Sequence, residues 1–186
     1  MNFLNWDVML YVTQDELSEF CESLKQFACP FCRTVGKLNR HGYLRGYSEV
    51  SSGRVVRGRR VFCNNRKRSS GCGKTFSLLL LSFIRGCIVG SKTVSELLLR
   101  LFRGEQPAGI AREILPHLSE RYVYGLHSRL RLRQPFLRSS LITCSTPVEN
   151  SSSNPLFQTL SHLYSIFFSK DNAVAAFQHC FQLSFL

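Results

Sequence analysis

Cys29-Pro30-Phe31-Cys32 opens the stretch that decides the fold of this 186-residue chain, and Cys63 and Gly71-Cys72-Gly73-Lys74-Thr75 close it. A Cys-x-x-Cys pair bends the backbone so that two thiolates point into one site, and a second cysteine pair completes a tetrahedral cage of four sulfur atoms. Such a cage suits zinc, and four thiolate ligands leave no position for water or substrate. The sequence therefore predicts one structural Zn²⁺ held by Cys29, Cys32, Cys63 and Cys72.

Positive charge is concentrated around these cysteines. From Arg33 to Lys74 the sequence has twelve lysines or arginines and one acid, Glu49, in a protein whose net charge is +12. This asymmetry indicates a polyanionic partner. A membrane is disfavoured, because the longest apolar run, Phe76 to Ile84, is far shorter than the ~20 residues that cross a bilayer. Nucleic acid is the favoured partner.

The remaining composition is that of an ordinary folded protein, with 44% hydrophobic residues. The apolar residues near the N-terminus are interrupted by Asp7 and follow no basic segment, so a signal peptide is not expected. The expected compartment is a reducing cytoplasm, in which cysteines outside a metal site fill apolar positions. This expectation applies to Cys21, Cys87, Cys144 and Cys180.

The first part of the chain is predicted to be a helix followed by a zinc ribbon. Thr13-x-x-Glu16 resembles a capping box, so residues 1–26 should contain an amphipathic helix, at 13–26. Pieces compatible with β-strands lie between glycines further along, at 42–50, 54–62 and 75–81. Short antiparallel strands around one zinc make a ribbon, which the sequence places at residues 27–84.

Residues 91–138 have helical periodicity, with helices expected at Thr93–Phe102, Pro107–Leu115 and Glu120–Leu132, the last capped by Ser119. Three helices with a short turn before a basic third one are typical of a helix-turn-helix. A helical hairpin with a solvated basic face gives the same pattern. In the helix-turn-helix interpretation, DNA would meet the outward residues of the third helix, which are Arg121, Tyr122, Tyr124, Ser128, Arg129 and Arg131.

The C-terminal part is predicted to be a linker and two short helices. Residues 145–155 are rich in serine, asparagine and proline, which is typical of a linker, and residues 156–186 have apolar helical spacing. The helices would either fill the protein's own core or form a surface for a homodimer or a transposase partner. The predicted fold class is α+β, with a small antiparallel zinc ribbon, a helix-turn-helix trihelical unit and a short apolar helical C-terminal segment.

The stretch from Cys29 through Gly58-Arg59-Arg60-Val61-Phe62-Cys63 to Gly71-Cys72-Gly73-Lys74-Thr75-Phe76-Ser77 resembles the N-terminal zinc ribbon of bacterial insertion-sequence transposases, in which a helix-turn-helix also follows. The resemblance covers roughly residues 27–135. It implies a module that binds transposon ends or operator DNA in the bacterial nucleoid, with the four cysteines as zinc ligands and with Arg59, Arg60 and Lys74 against the DNA backbone.

Other basic residues between Cys29 and Ser77 are candidates for the same phosphate contacts, namely Arg57, Arg66, Lys67 and Arg68. The second cysteine pair encloses eight residues, 64–71, a longer spacing than the family's, and His41 or Cys87 are alternatives for a ligand position.

The sequence predicts no nuclease centre. Transposases that cut DNA hold two metal ions with three carboxylates, whereas only Glu149 and Asp171 follow the third predicted helix. The predicted function is therefore that of a non-enzymatic double-stranded DNA-binding protein, a transposase-like accessory or regulator. Two alternatives remain: a DNA-binding subunit or fragment of an active transposase whose carboxylates come from another chain, and a zinc ribbon that binds RNA or protein.

Overall fold

The computed structural model describes residues 8–47, 53–66, 69–116, 118–147, 152–168 and 170–186. The chain divides into two compact units. The first contains the described residues up to Val89 together with Gln178–Ser184, and the second contains Gly90–Phe177 and Phe185–Leu186. Strands occur in the first unit and helices in both, which confirms the predicted α+β class.

A four-stranded mixed sheet is the frame of the first unit. Its strands lie in the order β1-β4-β3-β2, and they are β1 (Val8–Tyr11), β2 (Leu38–Tyr47), β3 (Arg54–Cys63) and β4 (Thr75–Leu80). Strands β2, β3 and β4 pair antiparallel, close to the predicted positions. Strand β1 was not predicted, and it pairs parallel to β4 with Val8 opposite Ser77.

Helix α1 (Gln14–Glu22) covers this sheet. The predicted capping box is present, because the Thr13 hydroxyl accepts a hydrogen bond from the Glu16 amide at 3.1 Å and the Glu16 carboxylate accepts one from the Thr13 amide. The helix ends earlier than predicted, and a 3₁₀ turn at Leu24–Gln26 follows it. Its buried side packs with apolar residues of the sheet in one core, which includes Leu17, Cys21, Leu24, Leu38, Val61, Phe76 and Leu78.

Two glutamine side chains complete the first unit from the C-terminal part of the chain. The Gln178 amide donates to the carbonyl oxygens of Leu81 and Phe83, both at 3.1 Å. The Gln182 side-chain oxygen accepts a hydrogen bond from the Leu10 amide at 3.2 Å. The short segment Gln178–Ser184 therefore satisfies backbone groups of the first unit.

The second unit is helical, with α2 (Ser91–Phe102), α3 (Pro107–Ile114), α4 (Glu120–Ile142), α5 (Pro155–Ile166) and α6 (Ala173–Phe181), of which only the first five residues belong to it. The first three helices lie where the sequence predicts them. Helix α4 runs past its predicted end at Leu132 and contains Pro135. Leu137 and Leu141 are buried and continue the apolar side of the helix, so packing sustains it beyond the proline.

The predicted C-terminal helices contribute to the core of the second unit, α6 only through its first five residues. Leu156, Leu160 and Leu163 of α5 are buried within this chain. The Tyr164 hydroxyl donates to the Ser95 carbonyl oxygen at 2.9 Å, which ties α5 to α2. Of the two roles predicted for this segment, these side chains therefore serve the protein's own core.

Candidate metal centre and nucleic-acid interface

The sulfur atoms of Cys29, Cys32, Cys63 and Cys72 form one cluster in the first unit, in which all lie within 4.8 Å of one another. The Cys29–Cys72 and Cys32–Cys63 sulfur pairs are each 3.7 Å apart. A disulfide bond would need about 2.05 Å, whereas a ZnS₄ tetrahedron with bonds of about 2.3 Å has edges of about 3.8 Å. The four-cysteine site therefore has the donor atoms and the spacing for one structural zinc ion.

The first half of the site is a tight turn around Cys29 and Cys32. The Cys29 amide donates to the Thr34 carbonyl at 3.0 Å, and the Arg33 amide donates to the Cys29 carbonyl at 2.8 Å. Arg33 has a φ of 60°, which is uncommon for a residue with a side chain. These contacts fold the chain back on itself and direct both thiols to the same side.

The second half joins the end of β3 to the start of β4. The Gly73 amide donates to the Cys63 carbonyl at 3.0 Å, and Gly73 has a φ of 74°, which favours glycine. At Gly71 a side chain would collide with the Asn64 backbone and approach the Cys63 sulfur atom. The longer spacing between Cys63 and Cys72 is thus closed by glycines, and both cysteines reach the cluster.

Burial and hydrogen bonding act in opposite directions on these thiols. Burial raises the pKa of Cys63 to about 12 and also raises the pKa of Cys29. Hydrogen bonds from the side chain and backbone of Thr34 lower the pKa of Cys32 to about 6. A bound Zn²⁺ would deprotonate all four, because its charge stabilises thiolates even in buried surroundings. The Cys72 amide, 3.4 Å from the Cys63 sulfur atom, would add to that stabilisation.

The alternative ligands do not join the cluster, which within the described residues consists of the four cysteines alone. The His41 ring instead packs near Phe62, with ring centres 5.8 Å apart. Cys21 and Cys87 are buried, as predicted for apolar positions. Cys144 and Cys180 are exposed, so that prediction was wrong for these two. Each lies near a helix end, where helical spacing alone does not settle burial.

Arg57 was predicted to contact phosphate, and the structure corrects this. It is 8% exposed, and its guanidinium donates to the carbonyl oxygens of Cys87 and Ile88 within the first unit. A group buried in this way does not reach a duplex. Its predicted role as a surface contact was therefore wrong, although its charge remains inside the unit.

The other predicted basic residues of the first unit lie closer to the surface, and several of them lie over the faces of aromatic rings. The Arg59 guanidinium is 4.1 Å from the centre of the Tyr43 ring, and Arg66 is 5.4 Å from that of Phe62. The Lys74 ammonium lies 5.0 Å from the centre of the Phe31 ring, beside the four-cysteine site. Arg60 is exposed. Lys67 and Arg68 fall outside the described residues.

Two residues that the sequence analysis missed lie beside this surface. Tyr43 is 51% exposed on the edge strand β2, and the Arg45 guanidinium is 5.7 Å from the centre of its ring. The register pairs Tyr43 directly with Arg59 across the two strands. The alternation of arginine with aromatic residues in β2 was the available signal.

In the second unit, the predicted residues of α4 separate by side of the helix. Arg121, Tyr124, Ser128 and Arg131 are exposed and recur at helical spacing, so they form one stripe, here called the α4 stripe. Tyr122 and Arg129 are half-buried and flank it. The opposite side is buried through Val123, Leu126, Leu130, Leu137 and Leu141. The sequence thus identified both sides of α4, with two residues at the boundary.

Ion pairs link α3 to both of its neighbouring helices. Arg112 of α3 and Glu120 of α4 form an ion pair at 3.1 Å. Arg100 of α2 pairs with both Glu105 and Glu113, each at 2.5 Å. Among the described residues, Arg121 and Arg131 make no ion pair, so the α4 stripe keeps uncompensated positive charge.

Comparison of the chain with protein-family models, curated proteins and solved structures gave no significant match. No described helix combines the length and the apolar character needed to cross a bilayer.

Proposed function

We propose that this protein binds double-stranded DNA without enzymatic activity, as a transposase-like accessory or regulator. In this proposal the four-cysteine site and strands β2–β4 form a zinc ribbon that grips phosphates. Helices α2 to α4 form a helix-turn-helix whose third helix reads base edges.

The observation that carries the proposal is the α4 stripe. An α-helix fits the major groove of B-DNA, and arginine, tyrosine and serine side chains donate hydrogen bonds to bases and phosphates. The stripe begins in the first turn of α4, at Arg121, and the buried leucines on the other side anchor the helix. Recognition helices place their N-terminal residues on the bases in the same way.

The first unit supports the proposal through charge. Besides the buried Arg57, the described strands β2 and β3 carry Arg40, Arg45, Arg54, Arg59 and Arg60, and neither strand contains an acid. A zinc ion would hold this region rigid without a large apolar core. Phosphate contacts made from a rigid strand lose little side-chain or backbone freedom on binding.

Two measurements test the proposal. Selection of duplexes from a random pool by the zinc-loaded protein should enrich a defined sequence. On that duplex, log K should fall linearly with log salt, with a slope of about −0.9 per phosphate contacted. DNA binding would be refuted if no duplex sequence is enriched and if the affinity for duplex DNA does not depend on salt. These two results together would favour a protein partner.

RNA or another single strand is the second candidate, favoured by the exposed Tyr43 ring beside Arg59 and Arg45. Unpaired bases stack on aromatic rings and on guanidinium planes, at about 1–3 kcal/mol per base. Competition between the selected duplex and its separate strands decides between the two. Stronger competition by a single strand, lost in Tyr43→Leu, would identify the single strand as the ligand.

A further inference from the structure

A shallow cavity of about 320 Å³ lies on helix α4 in the second unit. The described residues that line it come from Ser119 and the first ten residues of the helix. Arg121 and Arg129 lie one turn before and one turn after Gly125, and residues four apart share one side of a helix. Gly125 therefore leaves a gap between two arginines, with Leu126 beside it. This cavity is called the α4 gap below.

The α4 gap exists because position 125 has no side chain. Apart from its own helix backbone and its two chain neighbours, a methyl group added at Gly125 would meet nothing within 4 Å among the described residues. Gly125 is not one of the glycines with a positive φ, so the backbone does not need glycine either. Alanine would favour the helix at this position. Glycine thus lowers the stability of α4 and leaves its surface open to an outside molecule.

The surface of the α4 gap is suited to a methyl group. Gly125 and Leu126 have no side-chain hydrogen-bond donor or acceptor, and the backbone groups of a helix interior bond one another. A polar base edge placed against them would lose hydrogen bonds to water without replacement. Among the bases in the major groove, thymine presents a methyl group, which gains free energy when it is buried.

Two polar residues at the start of α4 would fix where the gap meets the DNA. The Ser119 hydroxyl makes no capping hydrogen bond, so it is available to a phosphate oxygen. Arg121 is exposed and makes no ion pair among the described residues. Its guanidinium can give two parallel hydrogen bonds to guanine or to phosphate. With these contacts in the first turn, Gly125 would approach the same base pair in every complex.

We propose that the α4 gap admits the methyl group of one thymine, so that Gly125 makes the helix specific for thymine at one position of the duplex. This inference rests on the proposed function and deepens it, because it names a base that α4 reads. It does not depend on the four-cysteine site.

Replacement of single thymines in the selected duplex by deoxyuridine tests the proposal, since deoxyuridine lacks only the methyl group. The full-length, zinc-loaded protein is titrated with each duplex by fluorescence anisotropy. We expect one replacement to weaken binding about fourfold, which is the effect of losing one buried methyl group. Replacement of the other thymines should change the affinity little.

Gly125→Ala is the decisive variant, because its methyl group and the thymine methyl group would need the same space. It should bind the thymine duplex about tenfold more weakly than the parent protein does, since overfilled sites are disfavoured. It should bind the deoxyuridine duplex at least as tightly as the thymine duplex. Its melting temperature should be no lower than that of the parent, so unfolding would not explain the weaker binding.

Gly109→Ala is the matched control. Gly109 is also an exposed glycine within a helix, α3, and an added methyl group there would likewise meet nothing within 4 Å. This variant carries the same chemical change outside the α4 gap. It should keep the parent's preference for thymine over deoxyuridine.

Three results would overturn the proposal. No single thymine replacement weakens binding, Gly125→Ala keeps the parent's preference for thymine, or Gly109→Ala loses that preference to the same extent as Gly125→Ala. A selection that enriches no duplex would overturn the proposed sequence-specific DNA binding and this inference together. An enriched duplex whose affinity does not depend on a thymine methyl group would overturn only this inference, so the two failures are distinguishable.

Discussion

The two units differ in what holds them together. The core of the first unit includes two cysteines of the four-cysteine site, Cys29 and Cys63, among its nine buried members. The second unit buries aliphatic and aromatic side chains on five helices, such as Leu97, Ile110 and Phe177. These two thiols belong both to the apolar core and to the proposed zinc site, so loss of a bound metal would also disturb the packing of the core. The first unit should depend on zinc, and the second should not.

The largest effect is expected from Cys63→Ser. Zinc that binds only the folded state adds its binding free energy to stability, about 10–16 kcal/mol in small zinc domains. Serine is a poor ligand, so the variant should lose the metal and unfold strands β2 to β4, while most helical signal at 222 nm remains. Metal analysis and circular dichroism measure both parts.

Cys144→Ser is the matched control, since Cys144 is exposed in the second unit. It should keep one zinc per chain and the stability of the parent protein. Loss of the helical signal in Cys63→Ser, to the same extent as the strand signal, would contradict the contrast between the units. Full zinc content in Cys63→Ser would exclude this site as the metal centre.

A pair of glycines gives the next largest effect. In Gly58→Ala the new methyl group would overlap the Leu78 carbonyl oxygen on the adjacent strand, and backbone cannot move aside cheaply. We expect a loss of about 2–3 kcal/mol. Gly125, inside α4, has open space around it, so Gly125→Ala should stabilise the second unit by about 0.5–1 kcal/mol. Denaturant titrations measure both changes in the free energy of unfolding. Changes of the same sign in Gly58→Ala and Gly125→Ala would refute this prediction.

Local patterns in the sequence predicted much of this architecture. Thr13 and Glu16 predict the start of α1, and Pro107 predicts the start of α3. Capping residues and first-turn prolines contact only the first turn of a helix, so the local sequence is enough to identify them. The four cysteines were predicted as a cluster because a metal cage needs only the right residue types near two turns. Such signals depend on residues that are close in sequence, so the structure of the folded protein retains them.

Features that depend on distant partners were not predictable. Strand β1 has four residues and is fixed by its parallel partner β4, far along the chain. Arg57 looks like its neighbours in sequence, but the space beside Gly46 and the carbonyl oxygens of Cys87 and Ile88 bury it. No periodicity in β3 distinguishes an inward arginine from an outward one.

The contrast also extends to how each unit would meet DNA. If the second unit reads bases and the first grips phosphates, Arg121→Ala should cost about 1–3 kcal/mol on the selected duplex and little on a scrambled one. Arg60→Ala should weaken both duplexes alike and reduce the salt slope by about 0.9. Anisotropy titrations on matched and scrambled duplexes measure both. If Arg121→Ala loses the same binding free energy on both duplexes, α4 does not provide the sequence specificity.

The smallest expected effect is a pH-dependent change in the stability of the second unit, and it comes from the ion pair between Arg100 and Glu105. Hydrogen bonds from Arg100 lower the pKa of Glu105 below its usual value. A carboxylate whose pKa is lower in the folded state stabilises it at neutral pH, and this contribution is lost as the pH falls through the folded pKa. Glu105→Gln should therefore melt slightly below the parent at pH 7, and the two melting temperatures should converge in strong acid.

The exposed Glu96, which has no ion pair among the described residues, supplies the control Glu96→Gln, expected to match the parent at pH 7. A difference between parent and Glu105→Gln that persists at low pH would mean that the side chain acts through packing and not through its charge.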